Sequence, residues 1–514
     1  INFGTTTGHT FDLISGQGTI RLSADNFPNG DASAFVASGG GTVQYNGSGY
    51  TLSIPRTYNN MVVLLSNSTD AITLLSNYTT NGYVNIQRGI LQINDNTSTT
   101  PLSLIVNQDF TVYSEGQLTV GTGNTIGTYS IPGTMPAIGQ YHSIYHQLKI
   151  GGNLLNDGII KLTNLSAPVY NQFANNGAVT LTFTGPANKS AILHNTTDLY
   201  NLIIDKGVDR TYMMEINSDN TNYFRLYGPN NVGRLEGAPF SGANPEVRKA
   251  LWIKNGTLKL TGNIVIPSLS EGNTVSGNGD YPIPGNGALW IADQNVKVYS
   301  TARSASPELM LGTVGVNDGT SNQALSVYGE FRISAGYFNT RNSAGFIFWP
   351  DASAVVRIEG GLCDVAQFRS ANGVAGGKTS FIMSGGEMMV RGNRQFTYNL
   401  DYTSGYQVNP DGGGEITGAY PTFGIVDPAG VFQMSGGKIY VTDDSGDNTY
   451  NSNGFCVQAD KVNHTATGGV IYMLLNNSDN FDIVSDGPLY DLVINKYNGT
   501  TNAAVHMGSD LTLN

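Results

Sequence analysis

One short phrase recurs in the second half of the chain: apolar-x-apolar, then a turn of small residues that ends in glycine. Its glycines are Gly336, Gly361 and Gly386, spaced 25 residues apart, and Gly437, which follows Gly386 by 51 residues. A fixed period of about 20–50 residues is typical of solenoids and repeat arrays. We therefore predict one structural repeat per roughly 25 residues, with about two repeats in the last interval.

The alternation within each phrase predicts strands that share one interior. Apolar residues two apart point to the same side of a strand. Across the turn the phrase steps five residues, for example from Ile358 to Cys363. An odd step swaps the phase of the alternation across the turn, so both halves keep facing the same interior. Cys363 then occupies the inward position that Phe338, Met388 and Ile439 occupy in other copies.

The turn residues distinguish two ways of joining the halves. Two earlier copies carry Arg88-Gly89 and Asn255-Gly256, and a third carries Ala335 before its glycine. A tight hairpin needs positive φ at both central positions, which Arg and Ala adopt poorly. A type II turn needs it only at the second position and splays the strands. We predict structural turn glycines, each with positive φ, at six positions: Gly89, Gly256, Gly336, Gly361, Gly386 and Gly437.

Splayed strands that repeat along the chain predict an all-β fold. The expected architecture is a right-handed parallel β-helix, or β-solenoid, with about 25 residues per turn and loop insertions. We predict one continuous solenoid over residues 1–514, with loop insertions near 208–250 and 267–288, where the pattern is weakest. Stacked hairpins or a sandwich remain the alternative.

Composition and charge limit the partners. Charged residues are 12% of the chain, about half of the usual 25%. The net charge is −12, which disfavours nucleic acid or an anionic membrane as a partner. No apolar run approaches the roughly 18 residues that cross a bilayer. Because both ends look cut, we expect the flanking parts of a longer chain to be partners.

Two cysteines and six histidines give weak signals. Cys363 and Cys456 lie in strand-like segments nearly four repeats apart, so we predict buried free thiols and no disulfide. On a helix, His142 and His146 would share one face and could hold a metal, but no Glu follows His142, so this is not the zincin motif. His146 also lies in an alternating strand phrase, which favours a solvated strand position.

An acidic segment is the metal-site candidate that we retain. Asp443, Asp444 and Asp447 cluster with Asn448, and carboxylate and amide oxygens suit Ca²⁺. The EF-hand spacing is absent, and a solvated acidic loop is the alternative. Some β-helices are polysaccharide lyases or glycoside hydrolases, which need clustered carboxylates on one face. Acidic residues are sparse here, so we predict no catalytic residues, no cofactor other than this candidate Ca²⁺ and no enzymatic activity.

Several phrases resemble a known class of surface proteins. They include Gly18-Thr-Ile-Arg-Leu22, Leu199-Tyr-Asn-Leu-Ile-Ile204 and Met434-Ser-Gly-Gly-Lys-Ile-Tyr-Val441. They are similar to the large repetitive β-helical surface proteins of Bacteroidota, among them gliding-motility adhesins exported by type IX secretion. The resemblance implies an extracellular, cell-surface location, and secretion and anchoring machinery as partners.

The expected function is a non-catalytic surface adhesin or filament segment. A rigid rod would present loops to a surface or a glycan. Two alternatives stay open, a carbohydrate-active β-helix enzyme and a passive structural stalk. An enzyme should show clustered carboxylates on one lateral face, whereas a stalk should neither bind nor degrade a ligand.

Overall fold

The computed structural model describes most of the chain in segments. They are residues 1–95, 102–121, 146–165, 177–227, 251–266, 281–299, 325–339, 346–348, 354–365, 368–370, 379–390, 423–425, 427–441, 453–475, 481–496, 505–507 and 512–513. These residues form two compact units. Unit 1 covers Ile1–Ile264, and unit 2 covers the described residues from Val265 onward.

Unit 1 consists almost entirely of short strands. They are β1 (Asn2–Gly4), β2 (Thr10–Leu13), β3 (Thr19–Leu22), β4 (Asn29–Asp31), β5 (Thr42–Tyr45), β6 (Tyr50–Leu52), β7 (Arg56–Tyr58), β8 (Asn60–Leu64), β9 (Ala71–Leu74), β10 (Tyr78–Thr80), β11 (Val84–Ile93), β12 (Ser103–Val106), β13 (Phe110–Val120), β14 (His146–Ile150), β15 (Leu154–Asn156), β16 (Ile159–Lys161), β17 (Val179–Phe183), β18 (Lys189–Leu193), β19 (Thr197–Leu199), β20 (Asn201–Asp205), β21 (Met213–Ser218), β22 (Phe224–Leu226) and β23 (Leu251–Gly262). One helical turn, α1 (Ser33–Val36), buries Phe35.

Three parallel ladders run through unit 1, and the chain visits them in turn. Face 1 contains β1, β3, β5, β8, β15, β18 and β21. Face 2 contains β6, β9, β16, β19 and β22. Face 3 contains β7, β10, β12, β14, β17 and β20. The long strands β11 and β13 bend from face 1 to face 2, and β23 bends from face 3 to face 1.

Unit 2 repeats the same organisation. Its strands are β24 (Val265–Ile266), β25 (Tyr281–Ile283), β26 (Gly287–Ile291), β27 (Lys297–Tyr299), β28 (Leu325–Val327), β29 (Glu330–Ile333), β30 (Tyr337–Asn339), β31 (Phe346–Phe348), β32 (Val355–Ile358), β33 (Leu362–Val365), β34 (Phe368–Ser370), β35 (Ser380–Met383), β36 (Glu387–Val390), β37 (Phe423–Ile425), β38 (Val431–Val441), β39 (Asn453–Val457), β40 (His464–Leu475), β41 (Phe481–Ser485), β42 (Asp491–Lys496) and β43 (Val505–Met507). A 3₁₀ turn spans Lys461–Asn463.

The ladders of unit 2 are also parallel. Face 1 contains β26, β29, β32 and β35, face 2 contains β24, β27, β30, β33, β36 and β42, and face 3 contains the eight strands from β25 to β43 that form a sheet of their own. Strands β38 and β40 bend from face 1 to face 2. The predicted all-β parallel β-helix is therefore confirmed, and in both units a coil visits three faces.

Alternation fills the interior of each coil with apolar side chains. In β32 the buried residues are Val356 and Ile358, whereas the intervening Val355 and Arg357 are half-buried. Phe368 stacks on Phe423 with ring centroids 4.7 Å apart on face 3. Full burial of each such side chain stabilises the fold by about 1.5–3 kcal/mol. Because one coil orders about 25 residues at a comparable cost, neighbouring coils must supply the remaining buried area.

The predicted inward column is observed on face 2 of unit 2. Phe338 pairs with Cys363, Cys363 with Met388, and Met388 with Ile439. All four side chains are fully buried. Cys363 and Cys456 are free thiols, as predicted. Burial raises the pKa of the Cys456 thiol to about 12, with a smaller contribution from Asp486. The buried thiol therefore stays protonated at neutral pH, and the reactive thiolate does not form.

The glycine phrases form corners between faces, not hairpins. Five of the six glycines lie between face 1 and face 2, and Gly256 lies between face 3 and face 1. All six have the positive φ expected of them: 93° at Gly89, 84° at Gly256, 81° at Gly336, 68° at Gly361, 72° at Gly386 and 85° at Gly437. The two halves of a phrase pair with neighbouring coils and not with each other.

The spacing of the coils is less regular than the phrase suggested. Val355 pairs with Ser380, 25 residues later. Glu387 pairs directly with Lys438, 51 residues later, so this interval is a single step along the ladder and not two repeats. In unit 1, Thr42 pairs with Asn60, 18 residues later, and Phe110 pairs with Leu154, 44 residues later. Insertions at the corners change the coil length without changing the register of the strands.

The two predicted loop insertions also need correction. Within 208–250 the structure places β21 and β22, which continue face 1 and face 2 of unit 1. Within 267–288 it places β25 and the start of β26. Residues 228–250 and 267–280 lie outside the described part. Met214 and Ile216 of β21 are buried, so alternation was present, but the surrounding polar residues masked it.

Candidate functional site

The predicted metal candidates lie outside the described residues. Asp443, Asp444 and Asp447 fall in the segment 442–452, so the structure does not place them. Within the described residues, no three His, Cys, Asp or Glu side chains come together as a metal-binding group. The Ca²⁺ site stays a prediction.

The turn glycines Gly361 and Gly386 pack directly against the backbone of the neighbouring coil. A Cβ on Gly361 would lie 2.5 Å from the carbonyl oxygen of Gly336, and one on Gly386 would lie 2.5 Å from the backbone carbon of Gly360. Real Cβ atoms do not approach backbone so closely, and a positive φ strains any side chain there. These positions therefore hold successive corners in contact and do not offer a binding group.

Ionic side chains on the outer surface of unit 2 link neighbouring coils. An Arg332 nitrogen lies 2.9 Å from a Glu359 oxygen, and Arg357 lies 3.2 Å from Glu330. The Arg332 guanidinium also lies 3.7 Å from the ring centroid of Trp290. Arg332 and Arg357 are directly opposite in the ladder. The two glutamates therefore offset the repulsion between two adjacent cations.

Other carboxylates have the same arrangement. Lys438 lies 3.3 Å from Glu387, its partner in the ladder. In unit 1, Arg225 donates two hydrogen bonds of 2.7 and 2.8 Å to the Asp198 carboxylate on the next coil. These carboxylates face cations and not a second carboxylate. Such an arrangement is typical of cross-strand ion pairs, each contributing about 0.2–1 kcal/mol where it is exposed.

The outer side of face 2 in unit 1 carries hydrogen-bonding groups in a regular row, four of them neutral and the last a lysine. The row passes from Thr51 to Thr73, Gln92, Thr119 and Lys161, each directly opposite the next. Thr51 and Lys161 are exposed, and the three residues between them are half-buried. Neighbouring strands lie about 4.8 Å apart. We call these five residues the face-2 row, and it is the candidate contact surface.

The face-2 row combines donors and acceptors with little charge. Each threonine hydroxyl both donates and accepts, and the Gln92 amide does the same. The Gln92 amide nitrogen already donates to the Asn94 carbonyl at 2.9 Å, which fixes the side chain and leaves its oxygen as an acceptor. Regularly spaced, pre-ordered groups of this kind can form hydrogen bonds to a neutral polymer such as a glycan.

Tyrosine contributes mainly to the interior. Tyr200 is fully buried, whereas Tyr490 is 42% exposed. The Tyr45 and Tyr58 hydroxyls are 2.6 Å apart in the interior. Tyr78 donates to the Ile54 carbonyl at 2.7 Å. Tyr45, Tyr58 and Tyr78 are therefore satisfied core residues and not an exposed aromatic platform.

The burial of two ionisable residues, His146 and Lys206, was not predicted. His146 is fully buried and not solvated as expected, because its strand places it inside the coil. Lys206 is also fully buried, and its amine donates to the Thr184 carbonyl. Burial lowers the pKa of Lys206 to about 8, with a smaller effect from Lys189. No local phrase distinguishes Lys206, because its burial results from neighbouring coils.

The structure and sequence were also compared with membrane-spanning helices and with known proteins. No helix in the described segments is long and apolar enough to cross a membrane. Comparisons with protein-family models, curated proteins and solved structures gave no match to this chain.

Proposed function

We propose that this chain is a non-catalytic segment of an extracellular surface protein. Its stacked coils form a stiff scaffold, and its outer faces and loops adhere to a glycan or another surface. The face-2 row carries this proposal, because it presents four neutral hydrogen-bonding groups, at Thr51, Thr73, Gln92 and Thr119, along successive coils. The sequence resemblance to large repetitive surface proteins of Bacteroidota supports an extracellular location and export with anchoring machinery.

The ionic contacts favour adhesion or support over catalysis. Glycoside cleavage needs two carboxyl groups about 5–10 Å apart across the scissile bond. Glu330, Glu359 and Glu387 each lie within an ion pair to Arg or Lys on an adjoining coil. Carboxylates held in this way link coils and are poorly placed to protonate a leaving group.

The test is retention without turnover. The purified chain would be passed over immobilised neutral and anionic polysaccharides, and the same polymers would be assayed for new reducing ends and unsaturated products. We expect retention on at least one neutral polymer and no release of product. Released oligosaccharide would support the enzyme alternative, and no retention on any polymer or surface would support the passive stalk.

A pair of variants locates the contact. Thr73→Val with Thr119→Val removes two hydroxyls from the face-2 row and keeps the branched shape that suits a strand. We expect retention on the bound polymer to fall about tenfold, because two hydrogen bonds of about 0.5–1.5 kcal/mol each are lost. The matched control is Thr111→Val on face 1, an outward residue of the same strand as Thr119. Equal retention of both variants would exclude the face-2 row.

A further inference from the structure

The His146 side chain accepts a hydrogen bond at the point where β12 and β14 begin to pair on face 3. His146 is the first residue of β14, and its side chain is fully buried. The backbone N–H of Leu102, just before β12, donates to His146 Nδ1 at 2.8 Å. In return, the backbone N–H of Gln147 donates to the Leu102 carbonyl at 2.8 Å. The imidazole thus supplies a hydrogen bond that a backbone carbonyl supplies elsewhere in the ladder.

This hydrogen bond requires the neutral imidazole. Because Nδ1 accepts, the ring proton must be on Nε2. Nε2 is buried and has no hydrogen-bond partner among the described residues. A second proton would add an N–H at Nδ1 that points at the N–H of Leu102, so two donors would face each other. Protonation and the Leu102 hydrogen bond therefore exclude each other.

The face-3 strands at His146 supply no compensating anion. Neither β12 nor β17, the strands that flank β14 on face 3, contains an ionisable side chain. Within β14 the other ionisable residue is Lys149, a cation, which is half-buried. Desolvation lowers the pKa of His146 to about 4. Nothing on these three strands would stabilise the imidazolium in the closed coil.

We propose that the β12–β14 junction is an acid-sensitive latch, which the neutral His146 side chain closes and which opens locally when acid protonates that side chain. The latch is independent of the adhesive role proposed above. Acid would then separate two strands at this coil.

Linkage sets the size of the effect. The pKa of the imidazole is lowered in the closed coil and returns to about 6.5 when the coil opens. The closed state is therefore fully favoured above the open-state pKa and loses stability as the pH falls from about 6.5 towards 4. At about pH 4.5 the opening equilibrium should be on the order of 50–100-fold larger than at neutral pH.

Hydrogen exchange tests this latch directly. His146→Asn keeps a side-chain acceptor near the position of Nδ1 but cannot be protonated. At about pH 4.5, peptides that contain 102–106 and 146–150 should exchange at least about tenfold faster in the wild type than in this variant. At neutral pH the two proteins should exchange equally there. Comparison at one pH removes the dependence of intrinsic exchange on acid.

Two controls keep the outcome decisive. His194 is half-exposed and lies 2.6 Å from Asp219, so His194→Asn should leave exchange at β12 and β14 unchanged. In the wild type, NMR of the imidazole nitrogens should show the Nε2–H tautomer down to about pH 5. Equal exchange of wild type and His146→Asn at about pH 4.5, or titration of His146 near 6.5 in the folded chain, would overturn the proposal.

Discussion

At the scale of residues, the interior of this β-helix is apolar with a few ionisable exceptions. Lys206 is the clearest, because a fully buried amine with one carbonyl acceptor loses most of its hydration. Burying a charge without a counter-ion costs several kcal/mol unless its pKa shifts. The lowered pKa of Lys206 follows from this cost, and the residue weakens the coil that contains it.

Replacement of Lys206 should therefore stabilise unit 1. Lys206→Met keeps the length of the side chain and removes the charge, so we expect a gain of about 1–3 kcal/mol in unfolding free energy at neutral pH. Chemical denaturation would measure it. The unfolded wild type binds more protons than the folded one between about pH 8 and 10.5, so wild-type stability should rise there relative to the variant. A destabilised variant with an unchanged pH profile would contradict this account.

At the scale of elements, the corner glycines determine whether strands splay or pair. Each corner places two half-strands on different faces, and the corners of successive coils lie against each other. A Cβ atom on Gly361 would lie within 3 Å of backbone atoms of Ala335 and Gly336. A side chain at this position would force the two adjoining coils apart. It would also leave the backbone of residue 361 at an unfavourable φ.

Gly361→Val should destabilise unit 2 by about 2–4 kcal/mol. Thermal melting followed by circular dichroism, together with limited proteolysis, would measure the change. Gly18→Val is a suitable control, because nothing lies within 4 Å of its Cβ position and its φ is not positive. The control should change stability by at most about 0.5 kcal/mol. Similar melting of Gly361→Val and wild type would refute the close packing of corners.

At the scale of the whole molecule, the sequence predicted the fold class better than the coil lengths or the site. The phrase around Gly336, Gly361 and Gly386 specified alternation and corner geometry, both local properties. The interval to Gly437 was misinterpreted because spacing alone does not distinguish a long insertion from an extra coil. The face-2 row was not predicted either. It depends on register between coils, which Thr73 and Thr119 do not reveal in sequence.

The central claim is that successive coils pair in parallel with the register observed. Val355 is opposite Ser380, and Ser380 is opposite Val431, all at half-buried outward positions. Neighbouring parallel strands place opposite Cα atoms about 4.8 Å apart, within reach of a disulfide, whereas positions two coils apart are about twice that distance. Cysteines at 355 and 380 can therefore form a disulfide if the strands pair in this register, whereas cysteines at 355 and 431 cannot.

Cysteine cross-linking is the most direct measurement. Val355→Cys with Ser380→Cys should form an intramolecular disulfide under mild oxidation, seen by peptide mass spectrometry. Val355→Cys with Val431→Cys should not form one, because one coil separates the two positions. A cross-link in the second pair, or none in the first, would contradict parallel stacking in this register.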